Sequence, residues 1–408
     1  MDPHPWQGGG PIYLDYNATT PIDPAAAAAA QPYLAEEFGN PSSAHHYATA
    51  PAHALHTARQ QIAALIGATA DGIVFTGTGT EANNLAIRGT VLANPTRTPH
   101  VITQATEHPG VLATCRALHR LHGVQVTVLP VDEHGLLDPQ DMAAAITPHT
   151  ALITIMLANN ETGTIQPIAE LARIAHHHGV PLHTDAAQAT GKIPLDIRSL
   201  GVDLLTLVGH KMYAPKGIGA LYVRPGLALE PLIYGGGQER GLRSGTENVA
   251  LAAGLGAAAD LARADLTTDA PHRLADLRDR LHHHLADALP GTVQLNGHSH
   301  RRLPNTLNIS ITGVRGDDLL AAIPELAAST GSACHAGTTQ PSPVLTAMGI
   351  HPDRALSAVR LSLGRWTTPT DIDHAADLLA TTARRLRAAP QHSRDPANTR
   401  QTPRPQAR

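Results

Sequence analysis

The chain has 408 residues, enough for a sizeable core and, on length alone, for two domains or one large domain with an appendage. A hydrophobic fraction of 42% fits a globular protein, and a formal net charge of −4 leaves no broad basic surface to neutralise a phosphate backbone, so nucleic acid is not expected as a partner. MDPHPWQGGGP at the start has neither the basic nor the apolar region of a signal peptide, and no apolar stretch approaches the length of a bilayer span, so the expected setting is cytoplasmic, without a membrane.

Residues 1–10 and 389–408 are rich in Pro, Gly, Arg and polar side chains without apolar periodicity, and are expected to be disordered tails. The Ala-rich stretch at 25–30 reads as a helix begun by Pro24. From there short apolar runs alternate with helical patterns. DGIVFT precedes EANNLAIRGTVLA, HVITQ precedes GVLATCRALHRLHG, and ALITIML precedes IAELARIAHHHG; VPLHTD, DLLTLVG and GIGALYV complete the series. This α/β alternation predicts a mostly parallel sheet with helices on both faces. Between about 250 and 290, LAAGLGAAADLARADL and HRLADLRDRLHHHLADAL read as long amphipathic helices. TLNISITG and AVRLSLGRW then read as strands of a smaller α+β domain.

Lysine occurs only at Lys192, Lys211 and Lys216, which narrows any amine chemistry. In LLTLVGHKMYAPKGIG an apolar strand runs into Gly-His-Lys211, so this amine is placed at a strand end, where ligand clefts form, while Lys216 reads as a surface residue. VPLHTD ends on Asp185, with Gln188 three positions later, and a parallel sheet delivers both strand ends to one rim. An amine facing a carboxylate is what an aldehyde cofactor with a pyridine ring requires; a helix N-cap is the plainer role for Asp185. IVFTGTGTEANN supplies a strand, a glycine turn with Gly79 and Thr80, and a helix start, which aim backbone N–H groups at an anion. The same Gly77-x-Gly79-x-x-Ala82 fits a loose dinucleotide fingerprint with Glu107 as the ribose carboxylate, a reading that leaves Gly-His-Lys without a task. His108, in TEHPG, follows a strand and is expected at the same rim.

Cys115 and Cys334 are too few for a disulfide framework. Cys334 lies among small residues in ASTGSACHAGTTQPS, which suits a reactive thiol; Cys115, in VLATCRAL, reads as a core residue. His176–His178 and His282–His284 lack the spacing of a zinc site, and no metal is expected.

Taken together, these segments resemble the cysteine desulfurases, fold type I pyridoxal-phosphate enzymes of the class V aminotransferase group. The likeness runs from YLDYNATTP to RLSLGRWTT near residue 368, through FGNPSS, TEANN, TEH, ANNETG, HTDAAQ, GHKMYAPKGIGALYV, GGGQERGLRSGTEN, GSAC and VRLSLGR in order. It implies an α/β fold type I PLP-dependent transferase, with a mostly parallel seven-stranded sheet flanked by helices plus a smaller α+β domain. The large PLP-binding domain would span 20–266; residues 11–19 and 267–388 would form the small domain that carries the Cys334 loop.

The resemblance further implies that Lys211 bonds the aldehyde of pyridoxal 5'-phosphate and that His108 stacks on the ring and assists proton transfer. Asp185 would pair with the pyridine nitrogen and Gln188 with the phenolic oxygen, while Gly79, Thr80 and His210 hold the phosphate. Thr246 would reach the phosphate of a neighbouring subunit, giving a homodimer with shared active sites. Asn160, among the cofactor's ligands as well, and Arg360 would orient the carboxylate of L-cysteine, with Asn40 nearby; a guanidinium fork suits that group. Lys211 would then move the Cα proton, and Cys334 would take the sulfur as a persulfide for an acceptor protein, releasing alanine. Most relatives carry serine where this chain has Val208. That residue, TIMLANNETG and the Ala333–His335 triplet also resemble the selenocysteine lyase branch; a class V enzyme without desulfurase activity is a further alternative.

Overall fold

The computed structural model describes residues 10–93, 98–331 and 340–388. The strands are β1 (Ile12–Tyr13), β2 (Ile73–Thr76), β3 (His100–Gln104), β4 (Gln125–Leu129), β5 (Thr150–Thr154), β6 (Leu182–Asp185), β7 (Leu204–Val208), β8 (Gly219–Val223), β9 (Val293–Leu295), β10 (Thr306–Ile311), β11 (Leu326–Ala327) and β12 (Ala358–Ser362). Seven of them form one sheet in the order β2-β8-β7-β6-β5-β3-β4. All neighbours are parallel except β8, which runs antiparallel to both β2 and β7.

Strands β2, β3, β6, β7 and β8 are buried at every position because helices cover both faces of the sheet, even in β6, where three of the four residues are polar. One helix layer includes Thr49–Leu65 and Val249–Leu266, whose Ile62 and Leu255 pack into a core with Phe75, Ile153 and Leu205. The other includes Gly79–Ala93 and Pro109–His122, which bury Leu85 and Leu118 against Val101 and Leu204. Asp23 accepts the Ala25 N–H and Pro24 occupies the first helical position, so the Pro24–Ala30 helix starts where the sequence places it. The edge strand β4, QVTVL, escapes the sequence reading because most of its positions are not buried. ALITIML contributes a shorter strand than its apolar run suggests, since β5 ends at Thr154.

A separate apolar core joins Leu14 to Leu277, Leu281 and Leu285 of the helix Ala270–Ala288, to Leu307 and Ile309 of β10, to Val359 and Leu361 of β12, and to Leu379 of the helix Pro369–Ala388. Here β12-β10-β9 form an antiparallel sheet, and β1 pairs in parallel with β11. Among the described residues no helix is long and apolar enough to cross a membrane.

One polar residue in the main sheet ties stability to pH. His183 of β6 is fully buried between Thr154 and Thr206, with ring nitrogens 2.8 and 3.1 Å from the two hydroxyls. Burial pushes its pKa down from 6.5 to about 4, against a small opposing pull from Asp185. The unfolded chain accepts the proton that the fold resists, so acid favours unfolding. This contribution, about 3 kcal/mol, is intact above roughly pH 6.5 and is lost as pH falls toward 4. Thermal melting followed across that window is expected to drop steeply, and His183→Asn is expected to flatten the drop.

Candidate active site

Strands covered on both faces can offer polar groups only where they end, so their chemistry collects at one rim. Here β6 and β7 end beside the first turn of the helix Gly79–Ala93, around a cleft of about 360 Å³. β7 passes from LLTLV into a single tight turn, Gly209–Lys211, which sets Lys211 in the wall of that cleft. Glycine is needed at 209 because a Cβ there would lie 2.9 Å from Ile218 Cγ2 and 3.0 Å from the Pro215 carbonyl oxygen. Just beyond, Tyr213 sits at φ 61°, a strained value for a non-glycine residue. Two contacts fix it: its N–H donates to Thr20 Oγ1 at 2.8 Å, and its hydroxyl accepts from the Arg365 N–H at 2.7 Å.

Asp185, the last residue of β6, is buried on the same wall. Its Oδ2 accepts from Asn83 Nδ2 at 2.7 Å and its Oδ1 from the Ala187 N–H at 2.9 Å. Asn83 also lines the cleft, and its buried Oδ1 has no partner among the described residues. Sequence reasoning missed Asn83; the one signal was an amide on the buried side of an apolar helix.

His108 caps the helix Pro109–His122 and lines the cleft. Its Nδ1 accepts from the Gly110 N–H at 3.0 Å, which leaves Nε2 to carry the proton. Burial lowers its pKa; Asp185 pulls it back up and the Lys211 cation pushes it down. The imidazole is therefore neutral at pH 7. His210 is likewise neutral, lowered to about 4 by burial and then by Lys211, Lys216 and Lys192. Gly79 and Thr80 line the cleft where they open the helix, and N–H groups of a first turn lack intrahelical partners. Val208 packs over this turn: a Cβ at Gly79 would lie 3.2 Å from Val208 Cβ, and no hydroxyl is offered there.

Six of the expected residues, Gly79, Thr80, His108, Asp185, His210 and Lys211, thus line one cleft. Lys216, read as a surface residue, is exposed and lines it too. Gln188 is buried beside the lining, with Nε2 donating to the Asn17 carbonyl at 3.0 Å. Arg360 is buried and donates to the Asn160 carbonyl at 3.1 Å and to Asp15 Oδ1 at 2.6 Å, while its Nε finds no partner among the described residues. Asn40 is exposed and accepts from the Ser42 N–H. Thr246 is exposed and lines a neighbouring hollow with Glu239 and Arg243 instead of the Lys211 cleft. Cys334 lies outside the described residues.

Glu107 does not serve as a ribose ligand. It is buried, accepts from the Met156 N–H at 2.6 Å and is held well above the usual carboxylate range by burial. Cys115 is also inert, packed with Leu118 and Val101 and pushed up to about 12, chiefly by burial. An alkylating reagent at neutral pH is expected to spare Cys115 until denaturant is added, which peptide mass spectrometry would register.

The aminotransferase class-V family model matches residues 12–374, and the chain belongs to that family. Within it, the chain is 46% identical over 388 residues to a cysteine desulfurase of Nostoc sp. (strain PCC 7120 / SAG 25.82 / UTEX 2576), covering 95% of this chain and 96% of that one. The cysteine desulfurase of Homo sapiens is 44% identical over 380 residues, 92% of this chain and 82% of that one. Among solved structures, a NifS-like protein superposes with a TM-score of 0.84 at 33% identity, covering 92% of this chain and 99% of that chain. The family depends on pyridoxal phosphate, and the cleft fits it: an amine, a carboxylate pinned on two sides, a neutral imidazole and a helix N-terminus share one space.

Proposed function

We propose that this protein is a cysteine desulfurase that converts L-cysteine to L-alanine and holds the sulfur as a persulfide on Cys334. The observation that carries the reading is the meeting of Lys211, Asp185 and His108 with the Gly79 turn in a single cleft. Pyridoxal phosphate, when bound, supplies an aldehyde for an amine and a ring that accepts electrons. Lys211 holds it and carries the substrate's Cα proton, first as base and then as acid. Asp185, fixed by Asn83 and the Ala187 N–H, keeps a proton on the pyridine nitrogen. His108 is neutral and offers its Nε2–H to the same space. Gly79, Thr80 and His210 hold the phosphate, and Gln188 bonds the phenolic oxygen.

Arg360 and Asn160 orient the substrate carboxylate, with Asn40 near that end. The Cys334 thiolate attacks the substrate sulfur; the C–S bond breaks with its electron pair going to carbon, which takes up a proton, and alanine leaves. A large domain (20–266) and a small one (11–19 with 267–388) are supported by the separate apolar core that joins Leu14 to Leu277, Leu307, Val359 and Leu379. Thr246, exposed outside its own cleft, is assigned to the cofactor phosphate of a second copy in a homodimer. The enzyme is assigned to the cytoplasm and passes its sulfur to an acceptor protein.

The test is incubation of the purified yellow protein with L-cysteine and a dithiol, measuring alanine and sulfide. Equal yields support the reading; a protein that binds no pyridoxal phosphate, or that yields no alanine, sinks it. A parallel arm with selenocysteine bears on the rival suggested by Val208: much faster turnover there would reassign the substrate.

A further inference from the structure

Lys192 has no part in the chemistry above, yet it is hydrogen-bonded to Gln188, which is buried beside the cleft. The residues after β6 turn helically, so Lys192 falls one turn beyond Gln188. Its Nζ donates to Gln188 Oε1 at 2.8 Å and to Asn17 Oδ1 at 3.2 Å. Gln188 Nε2 donates to the Asn17 carbonyl at 3.0 Å, closing a small ring of hydrogen bonds among three residues. Asn17 is anchored in turn: its N–H donates to Ser362 Oγ, its Nδ2 to Thr306 Oγ1 and the Asn160 carbonyl, and its Oδ1 accepts also from Asn305.

We propose that Lys192 is a positioning residue that fixes the amide of Gln188 so that its NH2 faces the cofactor ring. An amide can flip by half a turn, exchanging donor and acceptor ends. An ammonium settles the choice because it only donates, and the Asn17 carbonyl settles it again because it only accepts. With Oε1 held by Nζ and one Nε2 hydrogen on the Asn17 carbonyl, the amide keeps one N–H for the phenolic oxygen. The flipped form would set an NH2 against the lysine amine and a carbonyl against a carbonyl. Burial first, and then the cations Lys211 after β7 and Arg360 of β12, hold its amine well below the usual lysine range. A neutral amine keeps two N–H donors for Gln188 Oε1 and Asn17 Oδ1, and although its lone pair can accept from a flipped NH2, the flip would still set Oε1 against the Asn17 carbonyl.

This inference rests on the desulfurase reading and on the Gln188 role within it. The test follows the pH at which the visible absorbance of the cofactor-loaded enzyme changes form, in a double-mutant cycle of Lys192→Met and Gln188→Ala. A donor to the phenolic oxygen favours the deprotonated chromophore, so its loss lets protons bind more tightly. Lys192→Met is expected to raise the midpoint by roughly half to one pH unit, about three- to tenfold in proton affinity. In the Gln188→Ala background the same change is expected to move it hardly at all. A role confined to stability would lower the melting temperature in both backgrounds and leave the midpoint alone. An unchanged midpoint, or an equal shift with and without Gln188, overturns the proposal. Lys192→Gln, which keeps one donor, is run alongside and is expected to shift the midpoint less; it carries the comparison if the methionine variant does not fold. A wild-type protein with no visible band would count against the desulfurase reading instead.

Discussion

Lys211→Ala is expected to cut alanine formation from cysteine by about a thousandfold or more. The substitution removes the amine that fastens the cofactor and also carries the Cα proton, so two functions vanish with one side chain. Neither remaining lysine is expected to stand in. Lys216 lines the same cleft but sits on the loop beyond the tight turn that sets Lys211 at the end of β7, and Lys192 is bonded to Gln188 and Asn17. The check is borohydride reduction of the loaded protein and mass spectrometry of the chain: the wild type gains the mass of the reduced cofactor at the peptide containing Lys211, and the variant gains none there. Wild-type labelling at Lys216 instead would defeat the assignment.

Cys334→Ser is expected to abolish alanine and sulfide production while leaving the yellow colour intact. A hydroxyl cannot form the sulfur–sulfur bond, so the substrate's C–S bond has no acceptor. The proton exchange carried out by Lys211 precedes that step and should survive, so the variant should still wash deuterium into the Cα position of cysteine. Alanine released at the wild-type rate would return the chain to the general aminotransferase type. Loss of exchange together with product would mean that the thiol acts earlier.

The residues most legible in the sequence are those at strand ends. Lys211, Asp185 and His108 each follow an apolar run, and a covered parallel sheet has only one place to put them. The glycine turn was legible for a similar local reason: a strand, two glycines, a threonine and a helix start are contiguous. What stayed hidden depends on contacts across long stretches of chain. Asn83 reaches Asp185, 102 positions later, and Lys192 reaches Asn17, 175 positions earlier; no periodicity encodes either meeting. The Asp15–Arg360 ion pair is hidden for the same reason, since it joins the first strands to the last. β4 was missed because an edge strand that is partly exposed lacks the apolar signal of its neighbours.

The reversed direction of β8 has a consequence for Lys211. Had β8 run parallel to β7, the chain would have had to cross back to the end of the sheet where β7 begins before pairing again. Instead Val208 and Gly219 stand side by side, and the Gly209 N–H donates to the Ile218 carbonyl at 3.0 Å, so the segment bearing the lysine departs and returns through one doorway. It is a hairpin cinched at its base, with little slack for the amine to wander. Extra residues inserted between Lys216 and Gly217 would therefore be felt at the reacting nitrogen, although both of those residues are exposed.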